Sequence, residues 1–185
     1  GVEPLQQYLV EFPGGRYQVL GIAWDGRSEG DGGQRWFHLY PDERITPTDA
    51  LHWTRREQTW NYQCAECHST DLRKNFDLSS GSYSTTWSEI DVSCEACHGP
   101  GSEHVTLAER VATSSENAPD SWAIALAVDD GGQWVRAADQ RIAQRTEIRT
   151  SADQVETCAH CHSRRSTIAE GRSPGTPLLD SDRPA

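Results

Sequence analysis

The sequence predicts a small α+β protein of short helices, β-hairpins and much irregular chain, wrapped around something other than a hydrocarbon core. Three observations predict it. Only 35% of the 185 residues are hydrophobic and the mean hydropathy is −0.72, which is thin material for a single domain of this size. Strand-like runs, Gly- and Pro-rich turns and short helix signals alternate along the chain. All six cysteines fall in three copies of one pattern: Cys64-Ala-Glu-Cys67-His68, Cys94-Glu-Ala-Cys97-His98 and Cys158-Ala-His-Cys161-His162.

The elements follow in order. Residues 5–12 and 16–24 read as strands on either side of Pro13-Gly14-Gly15, a hairpin. A polar, Gly-rich loop over 25–34 leads to a third strand, Arg35 to Tyr40, ended by Pro41. From Thr48 the chain turns toward helix, and Trp60 leads into the first Cys-x-x-Cys-His. Residues 72–87 form a second hairpin about Ser79-Ser80-Gly81. Trp87-Ser88-Glu89 opens a helical segment delivering Cys94 to His98, which Gly99-Pro100-Gly101 ends. An amphipathic helix runs from Ser102 to about Ser115. Residues 121–136 read as another hairpin, around Asp129-Asp130-Gly131-Gly132. The third motif has a helix start of capping-box form, Ser151-Ala-Asp-Gln154 with Ser151 as N-cap, and Asp153 and Glu156 suit the first turn. Gly171 ends that helix, and a Pro- and Gly-rich tail from Arg172 lies over the surface. The whole, 1–185, reads as one domain.

Cys-x-x-Cys-His is the attachment signature of haem c: two thioethers hold the macrocycle and the adjacent histidine reaches the iron. One copy could be chance; three copies that use every cysteine are not. A thioredoxin-type pair needs no following histidine. A zinc site gains little from a histidine directly after its second cysteine, and disulfides would not impose it three times. The expected cofactors are three haems c, attached at Cys64 and Cys67, Cys94 and Cys97, and Cys158 and Cys161, with His68, His98 and His162 as proximal iron ligands. Three apolar macrocycles would also supply the missing core. Haem attachment takes place outside the bacterial cytoplasm, so a periplasmic or extracellular location is expected.

The sixth iron position can be filled by His or Met, or left open. The chain has no methionine, so His/Met coordination from within it is excluded. Beyond the three motif histidines remain His38, His52, His104 and His160, just enough for bis-histidine ligation throughout. His38 stands among Trp36, Phe37, Leu39 and Tyr40 and could equally be a core histidine. His52 could sit on the surface of a short helix. His104 follows a Gly-Pro-Gly turn that would let it cross a haem face. His160 lies two residues before His162, about 200° around a helix at 100° per residue, and is expected not to ligate. The distal set is therefore His104, His52 and His38. Seven tryptophans could stack on haem planes or fill ordinary core. Arg164 and Arg165 could pair with propionates or form an exposed basic pair.

The formal charge of −11 argues against nucleic-acid binding and suits a redox partner with a basic face. No run approaches the roughly 18 apolar residues of a membrane helix. No signal peptide is visible, so a mature or trimmed chain is expected.

Beyond the motifs, several stretches carry a likeness: Pro4-Leu-Gln-Gln-Tyr-Leu9, Phe12-Pro-Gly-Gly-Arg16, Gly33 to Pro41, Leu51-His-Trp-Thr54, Cys64 to Thr70, Thr86 to Val92, Cys94 to Gly101 with His104, and Cys158 to Arg165. Through them the chain resembles multihaem cytochromes of the cytochrome c-554 and hydroxylamine-oxidoreductase superfamily, notably the branch associated with tetratricopeptide repeats. The resemblance implies that the histidine of Cys-His-Gly-Pro-Gly-x-x-His crosses to a neighbouring haem, which supports His104, and it also covers His38 and His52. Members usually carry a further haem motif on either side, so an excerpt or a shortened relative is implied.

The leading functional reading is electron transfer through saturated bis-histidine haems, in exchange with redox proteins such as other cytochromes or further copies of itself. The alternative is a multihaem oxidoreductase with one open haem acting on a small nitrogen or sulfur compound. A subunit that only docks other cytochromes is a third reading.

Overall fold

The computed structural model describes residues 3–114, 132–147 and 152–185. The chain is a mixed α+β protein of short helices, small antiparallel sheets and irregular segments, as its sequence predicts. It divides into two compact units, Gly1–Val92 and Ser93–Ala185.

In the first unit, β1 (Leu5–Phe12) and β2 (Arg16–Asp25) form the expected hairpin, and β3 (Arg35–His38) adds to the other edge of β2. The register sets Trp24 opposite Trp36 and Ile22 opposite His38. Gly15 has φ +67°, and a Cβ there would strike the Tyr83 carbonyl, so conformation and space both demand glycine. Its neighbour Gly14 accepts the Tyr83 N–H at 2.8 Å. That bond ties the first turn to a second hairpin, β4 (Phe76–Asp77) with β5 (Ser82–Tyr83), inside the expected 72–87 stretch.

Apolar burial in this unit is small. Val19, Trp60 and Ala65 are buried, with Tyr17, Cys64, Leu72 and Trp87 packed against them. The Trp60 and Trp87 rings meet edge-on at 5.1 Å, a favourable aromatic geometry. Much of the remaining cohesion is polar. Asn61 is fully buried; its Oδ1 accepts the Tyr17 N–H at 2.8 Å, and its Nδ2 donates to Gly15 O at 3.2 Å and Thr85 Oγ1 at 2.8 Å. Asn61→Ala is expected to cost about 2–3 kcal/mol by orphaning these half-buried groups. Chemical denaturation checks it, and a loss below about 0.5 kcal/mol, the level of an ordinary surface substitution, would remove Asn61 from the account.

Two helix expectations fail here. From Thr48 the chain forms turns, and the first α-helix, α1, is only Trp60–Gln63. Side chains compete with the helix ladder: Thr46 donates to Asp49 Oδ2 through N–H and hydroxyl, both at 2.6 Å, and His52 Nδ1 pairs with Thr54 Oγ1 at 2.9 Å. Those Thr46 hydrogen bonds hold the Asp49 carboxyl below its usual range. Trp87-Ser88-Glu89 likewise opens no helix, because Ser88 N–H donates to Thr70 O and Glu89 O accepts from Thr70 N–H.

In the second unit, α2 is Cys94–His98 and α3 is Ser102–Thr113, close to expectation. Trp134–Val135 (β6) pairs with Gln144–Arg145 (β7); the other strand of the hairpin expected over 121–136 lies outside the described residues, as does Ser151. Helix α4 spans Asp153–His162. It ends at His162 rather than Gly171 because Arg165–Thr167 (β8) is drawn into a ladder with Asp182–Pro184 (β9). A short α5, Leu178–Ser181, precedes β9. The tail lies over the surface for most of its length, but it is ordered into α5 and β9, with Ser181 and Asp182 buried. The buried side chains described in this unit are Thr157, His160, Ser181 and Asp182, all polar, while Trp134, Ile142, Val155, Ile168 and Leu179 stand exposed. A unit with no buried apolar side chain among its described residues needs another apolar body to pack on.

Candidate functional site

The three motifs lie on helical backbone, and helix geometry explains why this spacing works. At about 100° per residue, the first cysteine, the second cysteine and the following histidine fall within an arc of about 100°. Two thiols and an imidazole therefore share one face. In α2 this face carries Cys94, Cys97 and His98, and in α4 Cys158, Cys161 and His162; all six are exposed. Val155, 64% exposed, extends the α4 face one turn further. In the first motif Cys64 caps α1, Ala65–Cys67 forms one 3-10 turn, and His68 is exposed. Burial pushes the Cys64 thiol up, with Cys67 adding to it; Cys64 sits against the Trp60 cluster.

Each motif is anchored to the chain that follows by one of its two middle residues. Glu66 pairs with Lys74 at 2.9 Å, both largely buried. Glu95 Oε1 accepts the Gly101 N–H at 2.7 Å, fixing the Gly99-Pro-Gly101 turn from which α3 and His104 start. His160 Nδ1 meets Asp182 Oδ2 at 2.8 Å. Sequence reading missed all three anchors. Only Glu95 had a nearby signal, the Gly-Pro-Gly turn; the partner of His160 lies 22 residues on.

The remaining candidates are placed as follows. His38 is exposed on β3, and its Nδ1 accepts the Tyr40 N–H at 3.0 Å. Ligation through Nε2 would require that contact to open, since the proton must then move to Nδ1. His52 is half-buried; its Nδ1 lies 2.9 Å from Thr54 Oγ1 and accepts the Thr54 N–H at 3.4 Å, so, as at His38, ligation through Nε2 would require the N–H contact to open. Phe12 packs edge-on against Trp53 at 5.5 Å, and the buried Gln18 amide donates to Trp53 O and Arg55 O at 3.0 and 3.1 Å. These contacts fix the turn that bears His52. His104 is half-buried in the first turn of α3. His160 is buried and both ring nitrogens are turned to oxygen atoms, Asp182 Oδ2 at 2.8 Å and Thr176 O at 3.2 Å, within the protein. Arg165, open to a propionate on the sequence reading, is instead committed to Asp182 Oδ1 at 2.6 Å.

The residues present fit haem c. None of the six cysteines is joined in a disulfide. Among the described residues no group of three or more His, Cys, Asp or Glu side chains gathers as a metal cage, so the donor sets do not resemble a structural zinc site, which closes with four protein ligands. A porphyrin brings four equatorial nitrogens of its own and asks one imidazole of each motif. The exposed apolar side chains supply the surface such a plate would cover. No helix among the described residues is long and apolar enough to cross a membrane.

Comparison with known proteins agrees with this chemistry. The family model for the N-terminal region of the NapC/NirT cytochrome c family matches residues 45–176, a stretch that contains all three motifs. No curated protein and no solved structure matches the chain. Covering well over half of its length, the match completes what the paired thiols and adjacent histidines indicate: the chain belongs to the NapC/NirT cytochrome c family, proteins that carry electrons on covalently bound haem.

Proposed function

We propose that the chain is an electron relay carrying three haems c, each with two histidine ligands. The observation that carries this reading is the triple Cys-x-x-Cys-His, which uses every cysteine in a chain without methionine. Cys64 and Cys67, Cys94 and Cys97, and Cys158 and Cys161 form the thioethers, and His68, His98 and His162 are the proximal ligands. His104, His52 and His38 take the distal positions. Bound haem supplies a one-electron iron couple. The side chains hold that couple in fixed coordination, so gaining and losing an electron requires little rearrangement. The acidic chain favours exchange with proteins presenting a basic face, faster at low salt. A periplasmic or extracellular site of action and a single trihaem domain over 1–185 belong to the same reading. Its finer kinship is with the cytochrome c-554 and hydroxylamine-oxidoreductase superfamily and its tetratricopeptide-associated branch, on the stretches quoted above.

The test is an intact mass that exceeds the polypeptide by three haems, together with distal variants. His104→Ala is expected to convert one low-spin haem to high-spin and to raise its potential, because a donating ligand is lost. His52→Ala and His38→Ala are expected to do the same at other haems. His160→Ala is expected to convert none. A high-spin signal from His160→Ala alone would overturn the distal assignment.

A further inference from the structure

The buried face of α4 is polar throughout, and one carboxylate lies at its centre. Helix geometry places Thr157 and His160 opposite the face bearing Val155, Cys158 and His162. The segment from Gly175 to the C-terminus grips that buried face. Thr157 Oγ1 accepts the Gly175 N–H at 3.2 Å, and Glu156 Oε2 accepts the Leu178 N–H at 2.6 Å. Asp182, 1% exposed, holds His160 with Oδ2 at 2.8 Å and Arg165 with Oδ1 at 2.6 Å, and it takes the Ser181 hydroxyl at 2.8 Å. Arg165 donates in turn to His160 O, in the last turn of α4. Burial raises the Asp182 carboxyl, yet the hydrogen bonds from Ser181 and His160 and the Arg165 charge outweigh it and keep it below its usual range.

We infer that Asp182, acting through His160 and Arg165, is a positioning residue for the haem held by Cys158, Cys161 and His162. The inference rests on the haem reading above. His160 sits between the two attaching cysteines and two residues before the proximal ligand, so its ring fixes the roll of α4 about its own axis. That roll decides where the His162 imidazole points. In an ordinary helix an apolar stripe would set it; the buried face of α4 has none, and the Asp182 cluster takes its place. The relation is that of an outer partner orienting a metal ligand, reached here through the helix instead of through the ligand's own ring nitrogen.

The test compares wild-type holoprotein with Asp182→Ala and Asp182→Asn by low-temperature EPR and redox titration. Wild-type mass first establishes that haem is attached at Cys158 and Cys161; a wild type without it sinks the haem reading, and this inference with it. With haem attached, Asp182→Ala is expected to leave every haem low-spin while shifting the g-values and midpoint potential of one, the others holding at wild-type values. Asp182→Asn keeps the shape and is expected to move the g-values less. His160→Gln, which retains a side-chain donor toward Asp182, keeps the proposal open to refutation should Asp182→Ala not mature. It too is expected to shift one haem only. Unchanged g-values and midpoints in the variants that mature, with only a lowered melting temperature, would show the cluster to be structural and overturn the proposal.

Discussion

Replacing Cys94 or Cys97 with serine is expected to remove one haem from the mature protein and to destabilise the unit that contains it. The loss should be about 5 kcal/mol or more, comparable to the whole stability of a small domain. The size of the effect follows from what is buried. In Ser93–Ala185 the described buried side chains are Thr157, His160, Ser181 and Asp182, and polar groups that only satisfy one another contribute little net stability. On the proposed reading the apolar gain comes from the two plates this unit would hold, and replacing Cys94 or Cys97 removes one of them. Intact mass reads the haem loss and denaturant unfolding reads the stability. A serine variant one haem short yet as stable as wild type would contradict the account.

The chain produced without haem attachment is expected not to fold over Ser93–Ala185 at all. The same exposed residues make the point: Trp134, Ile142, Val155, Ile168 and Leu179 gain nothing unless something covers them, and ordering a residue costs about 1–2 kcal/mol of backbone entropy. Far-UV circular dichroism should show helix below that of α3 and α4, and amide exchange in 152–185 should be near the unprotected rate. Gly1–Val92, with Val19, Trp60 and Ala65 buried and Asn61 knotted into its turns, should retain more protection. A cooperative unfolding transition of the haem-free second unit would show that protein contacts alone suffice.

What could be read in the sequence divides along physical lines. The first hairpin was legible because Pro13-Gly14-Gly15 is a strong local signal and the flanking runs are β-branched and aromatic. Helix α3 was legible from its spacing after Gly99-Pro-Gly101. The three Cys-x-x-Cys-His motifs are legible because the chemistry of haem attachment demands residues adjacent in sequence. Residues 48–58 were misread, since Thr46, Asp49 and Thr54 spend side-chain hydrogen bonds on turns that composition alone does not reveal. The extension of the third helix to Gly171 was misread, and the order within the tail was missed, for one reason. Both depend on pairing Arg165–Thr167 with Asp182–Pro184, and His160 with Asp182, contacts between residues 15 to 22 positions apart. The iron ligands stand between these cases. Proximal histidines are named by their neighbours; distal ones are chosen by the fold, and counting His38, His52 and His104 against three motifs bounds the choice without making it.

The central claim is that every iron is saturated by protein ligands and that the chain passes electrons without binding a substrate. Titration of the fully reduced holoprotein with carbon monoxide, followed in the Soret band, tests it most directly. The account assigns His104, His52 and His38 to the sixth positions and therefore predicts no spectral change at equilibrium under mild conditions. Stoichiometric carbon monoxide binding to one haem of the unmodified protein would contradict it.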